Sequence, residues 1–311
     1  MTAARRDVLA VLGGSGLYAL DGLSDVEELR VDTPYGQPSD AVLRGRLAET
    51  TLLFLPRHGR DHHIAPHEIP YRANVCALKK LGATHLLSVS AVGSLQETIA
   101  PGDFVVVDQF VDLTRRRVAS FFEGGVVAHV GFGDPTCASL STALASAVAR
   151  AIVADASGKA GRVHRGGTYV CIDGPSFSTR AESRLYRSWG ASVIGMTAMP
   201  EAKLAREAEL PYALLALATD YDSWHEAAAP VTAEEIVAVM SKNVSSARLT
   251  VAELAPALPD PADSPAARAL GGAIMTRAHR MPAEAKARLD WLIAKYVGPK
   301  PEGGGKGDGD P

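Results

Sequence analysis

Short runs of apolar and β-branched residues recur along the chain, at Val8–Leu12, Thr51–Leu55, His85–Val92, Phe104–Val107, Thr168–Ile172 and Ala213–Ala218. Runs of this length predict buried strands. Helical spacing lies between several of them. Tyr71–Leu81 is one such segment. Over 139–156, Leu140, Leu144, Val148 and Ile152 recur every fourth residue and draw one apolar stripe. Alternation of the two patterns predicts an α/β fold with a largely buried sheet flanked by helices.

After Asp222 the pattern changes. Thr232 and Glu235 form a capping box for a long helix whose stripe includes Ile236, Met240 and Val244. Beyond Pro256 comes a joint rich in Pro, Ala and Asp, then a last helix with Leu289, Leu292, Ile293 and Tyr296 on one face. Residues 298–311 carry no large apolar side chain and are expected to be a disordered tail. The organisation read from this is a main domain over 7–256, a helical extension over 257–297 and the tail over 298–311.

Composition narrows the function classes. The 311 residues are 47% hydrophobic and 22% charged with a net charge of −3, which is the balance of a globular chain and gives no basic patch for nucleic acid or a membrane surface. No apolar run reaches the roughly 18 residues of a membrane span. The apolar run after the basic start is too short for a signal sequence. Three scattered cysteines, Cys76, Cys137 and Cys171, suit a reducing compartment rather than a disulfide framework. A cytoplasmic protein is expected.

Five segments carry candidate chemistry. Gly13-Gly14-Ser15-Gly16 follows the first strand, where uncovered backbone N–H groups and the Ser15 hydroxyl suit an anion; a tight turn fits equally, and no Gly-Lys-Ser/Thr of a nucleotide P-loop follows. Arg57 and His58 stand just past the strand Thr51–Leu55, where open α/β sheets bind ligands, and Arg57 can grip a phosphate with two parallel N–H bonds. His58, His62, His63 and His67 also raise a metal site or a solvated loop, though Pro66 and Pro70 disfavour the helix that would set ligand spacing. Ser88-Val89-Ser90-Ala91-Val92-Gly93-Ser94 ends the most apolar strand with small hydroxyl residues. Gly174-Pro175 sets a turn before Phe177, which can stack on a flat ring, and Ser178 or Thr179 can cap the helix carrying Arg180 and Glu182. Asp220 and Asp222 end the strand Ala213–Ala218 and, if it stays extended, share a face. Two such carboxylates do not both ionise without cost, so one is positioned to hold a proton as a general acid; solvated turn residues are the plain alternative.

Taken together, these segments resemble the trimeric purine nucleoside phosphorylases, most closely the 5′-deoxy-5′-methylthioadenosine phosphorylases among them. The likeness runs from about Val8 to about Val244. It includes, besides the motifs above, Arg57-His58-Gly59-Arg60, Tyr71-x-x-Asn74, Pro101-Gly102-Asp103, Asp108-Gln109-Phe110, Arg180-Ala181-Glu182, Trp189-Gly190-Ala191, Met196-Thr197 and Thr219-Asp220-Tyr221-Asp222. The resemblance implies a single catalytic domain with a mixed central sheet. It implies a phosphate site of Ser15, Arg57, His58, Ser90, the backbone N–H of Ala91, and Thr197. Ser90 stands where many relatives have Thr. Met196 would lie against the ribose, Phe177 and Ser178 would flank the base, and Asp220 and Asp222 would meet its N7 and 6-amino edge. Ala233, Ile236 and Val237 would line an apolar 5′ pocket, and His129 would enter from a neighbouring subunit of a homotrimer or a dimer of trimers.

The implied reaction is phosphorolysis of 5′-deoxy-5′-methylthioadenosine, with inorganic phosphate as co-substrate and neither metal nor organic cofactor. A phosphorylase of 6-oxopurine nucleosides is the nearest alternative. A nucleoside hydrolase and a non-catalytic nucleoside-binding protein stand further off.

Overall fold

The computed structural model describes residues 7–297 except 15, 18–19, 155–160 and 226–232, and gives only the backbone course of 233–243. Ser15, the Thr232 cap, the side chains of Ala233, Ile236, Val237 and Met240, and the tail from 298 therefore lie outside the described residues. By internal packing the chain forms two units, Met1–Phe121 with Val130–Ala269 and Phe122–His129 with Leu270–Pro311. The expected boundary after 256 falls inside the first unit.

The first unit is built from β1 (Val8–Gly13), β2 (Ser24–Leu29), β3 (Val42–Leu47), β4 (Thr50–Pro56), α1 (Tyr71–Lys80), β5 (His85–Ser94), β6 (Phe104–Val107), β7 (Gln109–Asp112), α2 (Ala138–Ala154), β8 (Val163–Arg165), β9 (Thr168–Cys171), α3 (Arg180–Ser188), β10 (Val193–Gly195), α4 (Ala198–Glu207), β11 (Tyr212–Tyr221) and α5 (Ala233–Leu254). One mixed sheet joins all eleven strands in the order β2-β3-β4-β1-β5-β10-β9-β7, with β11, β6 and β8 continuing from the other edge of β5. β1 is parallel to β4 and β5, and β11 is parallel to β5, whereas β10 meets β5 antiparallel.

The six apolar runs become β1, β4, β5, β6, β9 and β11 because their side chains are buried on both faces. Leu9, Val11, Leu52, Phe54, Leu87, Val89, Leu215 and Leu217 share one core with Leu140, Leu144 and Val148 of α2 and Ala247, Val251 and Leu254 of α5. Their alternate neighbours Leu12, Leu53, Leu86 and Leu214 are equally buried. A strand with no solvent face has no reason to alternate. The stripe expected over 139–156 faces this core, with Ile152 half-buried at its end.

In the second unit α6 (Ala283–Val297) buries Ala285, Leu289, Leu292 and Ile293. Tyr296 departs from the expected stripe and is 36% exposed. It sits in the last turn, where its ring lies under the Lys295 ammonium in solvent. Ala128 forms an antiparallel bridge with Ile274, and the His129 N–H donates to the Ala273 carbonyl at 2.9 Å.

Candidate active site

The sheet forks at β5, and the fork opens a backbone edge. His85–Ser88 of β5 pair with β1, while Gly93 and Ser94 pair with β10 on the same edge; β11 holds the opposite edge throughout. Among the described residues no strand claims Val89–Val92 on the forked edge. The main-chain groups there are held by neither partner strand, so they are placed to meet a ligand or a side chain. Ser90 and Ala91 lie in this gap.

Arg57 lies across one side of it. It follows β4, and its N–H donates to the Gly13 carbonyl at 3.0 Å, which ties the loop after β4 to the end of β1. The guanidinium, only 2% exposed, pairs with Glu201 of α4 through Nε at 2.8 Å and Nη2 at 3.3 Å. Nη2 also reaches the Leu12 carbonyl at 3.0 Å and Ser88 Oγ at 2.8 Å, and Nη1 reaches the Val89 carbonyl at 3.2 Å. Burial disfavours its charge, but Glu201 outweighs burial and the net effect holds the guanidinium more firmly protonated. The expected grip by two parallel N–H bonds is therefore not open as the side chain stands. Four of its five N–H groups already have protein acceptors, and one on Nη1 remains for an anion. The Tyr212 hydroxyl completes the cluster by donating to Glu201 at 3.2 Å.

His58 presents an acceptor rather than a donor. Its Nδ1 lies 2.8 Å from the Ile64 carbonyl, which can only accept, so Nδ1 carries the hydrogen and Nε2 of the neutral ring is an acceptor. Burial pushes its pKa down to about 4, with Arg57 and His62 adding to the effect. The ring stacks on His62 at 4.3 Å. Towards hydrogenphosphate, a neutral His58 accepts the P–OH proton rather than donating.

The two hydroxyls named from sequence do meet. The antiparallel register of β10 with β5 pairs Ile194 with Gly93 and Val193 with Ser94. Continued past the strand, it brings Thr197 opposite Ser90. Ser90 Oγ and Thr197 Oγ1 are 3.1 Å apart. Both residues are buried. The buried Tyr169 hydroxyl lies 3.4 Å from Ser90 Oγ and accepts from the Thr197 N–H at 3.4 Å.

Beside Gly93, three residues further along β5, lie the carboxylates of Asp220 on β11 and of Asp222 just past it. A bulge at Thr219 shifts the register between β11 and β5, so Asp220 faces Gly93 directly. A Cβ on Gly93 would stand 3.1 Å from Asp220 Oδ1 and 3.2 Å from the Asp222 Cβ. Both aspartates thus close over the same glycine, as the shared-face reading expects. Asp220 Oδ2 accepts from the Thr219 hydroxyl at 2.7 Å. Asp222 is 5% exposed, and its Oδ2 is buried without a hydrogen-bond partner among the described residues. Burial raises its carboxyl above the usual range, against the Ser183 hydroxyl and the Ser223 N–H, which favour the charged form.

Beside the pair, Thr179 caps α3 in a reciprocal box with Glu182. This fixes the end of the Gly174–Ser178 turn. The Ser223 hydroxyl donates to the Ser178 carbonyl at 2.8 Å, and Ser178 Oγ is another buried polar atom without a partner among the described residues. Phe177 is 45% exposed, so its ring is available for stacking. Met196 packs where a Cβ on Gly174 would come within 2.4 Å of its sulfur. His129 belongs to the second unit and Ser15 lies outside the described residues. Sequence reasoning passed over Glu201, Tyr212 and Tyr169, and also Arg117, whose Nη2 holds the Asp173 carbonyl at 2.9 Å and whose Nη1 holds the Tyr71 hydroxyl at 2.9 Å. An acid and two tyrosines among apolar neighbours were the only signal.

The chain matches the phosphorylase superfamily over residues 8–255. It is 51% identical over 290 residues to the S-methyl-5′-thioadenosine phosphorylase of Thermosynechococcus vestitus, covering 93% of this chain and 99% of that protein. The enzyme of that name from Geobacter sulfurreducens is 50% identical over 291 residues, covering 93% and 99%. A methylthioadenosine phosphorylase from an Antarctic soil metagenomic library superposes with a TM-score of 0.86 at 46% identity over 92% of this chain and 99% of that one. That of Schistosoma mansoni in complex with adenine gives 0.79 at 35% identity over 86% and 99%.

Proposed function

The chain belongs to the phosphorylase superfamily, and from that premise we propose that it splits 5′-deoxy-5′-methylthioadenosine with inorganic phosphate, giving adenine and 5-methylthioribose 1-phosphate. The observation that carries this is the spacing on β5. Ser90 with Thr197 marks one end and Gly93 under two aspartates marks the other, three residues apart, which is about 10 Å along a strand. An anion at the first and a purine at the second leave the glycosidic carbon between them.

Phosphate is met by the Ser90 and Thr197 hydroxyls, the Ala91 N–H and the remaining Nη1 hydrogen of Arg57, with Ser15 as a further donor. Its P–OH proton faces the His58 acceptor. As the bond from C1′ to N9 stretches, the phosphate oxygen bonds to C1′ and the electron pair passes into the purine. Asp220 supplies a proton to N7, so adenine leaves neutral; the hydrogenphosphate proton makes good the loss. Positioning and electrostatics supply the rate, and the chemistry draws on no metal or organic cofactor.

Asp222 sets the choice of base. Its buried, unpartnered Oδ2 gains a donor from a 6-amino group and meets only another acceptor in a 6-oxo group. Phe177 and Ser178 flank the ring, Met196 the ribose, and Ala233, Ile236 and Val237 the methylthio group. His129 reaches the site of a neighbouring subunit in a homotrimer, and the three buried free thiols suit the cytoplasm.

The test is product analysis with methylthioadenosine, adenosine and inosine, each with and without phosphate. Adenine release from methylthioadenosine that requires phosphate is the expected result. Preference for inosine moves the assignment to 6-oxopurine nucleosides, and turnover without phosphate moves it to a hydrolase.

A further inference from the structure

We propose that Tyr169 is a positioning residue that aims the Ser90 and Thr197 hydroxyls at phosphate. The inference rests on the phosphate site assigned above and adds a residue to it. Tyr169 is fully buried on β9, and its ring packs beside Phe110 with centroids 6.0 Å apart. Its hydroxyl is given room by Gly195, where a Cβ would stand 2.0 Å from the Tyr169 oxygen. Any larger residue at 195 therefore displaces the hydroxyl end of this ring, whose Cζ would stand 2.6 Å from the same Cβ.

The direction of the hydrogen bonds gives the role. The Tyr169 oxygen accepts from the Thr197 N–H at 3.4 Å, which fixes the backbone that opens α4. Its single hydrogen then needs an acceptor, and Ser90 Oγ lies 3.4 Å away. With that lone pair of Ser90 occupied, the serine hydrogen is left for the Ala91 carbonyl at 3.2 Å, for Thr197 Oγ1 at 3.1 Å, or for an anion that displaces these contacts. Donors thus run in one sense from the Thr197 backbone through Tyr169 to Ser90, and hydrogen bonds in such a chain strengthen one another. Burial pushes the Tyr169 hydroxyl up to about 12, so it keeps its hydrogen at working pH.

Serine needs this help. A threonine is stiff at χ1 because of its second branch, whereas a serine rotates among three wells. Tyr169 holds by a hydrogen bond what a γ-methyl holds by steric contact. The seat at Gly195 and the serine at 90 are parts of one device.

The experiment varies phosphate and nucleoside separately on the full chain. Tyr169→Phe should raise the KM for phosphate about fivefold to tenfold while the KM for nucleoside stays within about twofold. Ser90→Thr placed in the Tyr169→Phe background should recover most of that loss. Gly195→Ala should give the same phosphate-selective defect, and it carries the test alone if the phenylalanine variant does not fold. An unchanged phosphate KM, an equal rise in both KM values, or no recovery by Ser90→Thr overturns the role of Tyr169. Ser90→Ala separates this from the parent assignment: if it leaves the phosphate KM unchanged, or if wild-type turnover ignores phosphate, the phosphate site itself is misplaced.

Discussion

Asp220 and Asp222 lie two positions apart and have different partners. Asp220 Oδ2 accepts from the Thr219 hydroxyl, whereas Asp222 Oδ2 is buried with no partner among the described residues. Asp222→Asn should therefore weaken turnover of methylthioadenosine by about tenfold or more and that of inosine much less, whereas Asp220→Asn should weaken both. Equal losses on the two substrates from Asp222→Asn would remove the argument for an amino purine. For Asp222 the sign of the pH effect is set by burial, which raises its folded pKa. Its contribution to stability is full below the unfolded value and is lost as pH rises through the folded one. Asn at 222 has no proton to lose, so Asp222→Asn should gain in melting temperature on the wild type as pH climbs from acid toward neutral, while turnover of methylthioadenosine falls. A difference in melting temperature that is flat with pH counts against it. At this scale Arg57 and the aspartates stand at or just past strand ends, where a sequence singles out candidates, whereas Ser90 lies inside β5 and Thr197 is named only through the resemblance. Glu201, Tyr212 and Tyr169 were not legible, since their roles are partnerships across long stretches of chain.

Two elements frame the paired aspartates. Thr179 and Glu182 close a reciprocal cap on α3, and Thr179→Ala should cost about 1 kcal/mol, seen as a lower melting temperature. On β5, Gly93 is bare because both aspartates come within contact of where a Cβ would be. Gly93→Ala should raise the KM for nucleoside and leave that for phosphate nearly unchanged; the reverse pattern would place the purine elsewhere. The elements themselves were unequally readable. β1, β4, β5, β6, β9 and β11 announced themselves as apolar runs because solvent touches neither face. β2 did not: it is an edge strand of Ser24–Leu29 with Val26 52% exposed, and charge along it hides the pairing. β8 and β10 are three residues each, too short for a period to register. Pro200 interrupts α4 and conceals the helix that carries Glu201.

At the scale of the molecule, what one chain contains decides whether its site is complete. His129 lies in the second unit, paired to Ala273 through its backbone. If a neighbour's site uses it, His129→Ala and Arg57→Ala should each be nearly inactive, and oligomers mixed from the two should regain part of the activity through sites that receive one intact copy of each. Mixtures that stay silent would end the shared-site reading. The mixed sheet and its covered faces followed from the apolar runs, but its fork did not, because a change of partner along one strand leaves no trace in hydropathy. That fork has a consequence for how the protein can vary. Between Val89 and Val92 the forked edge offers main-chain groups, which every genotype encodes alike. Side-chain scanning can reach the hydroxyls and the carboxylates but passes over this foundation, so an exchange of Ser for Thr at 90 alters the side chain above it and leaves the backbone edge beneath unchanged.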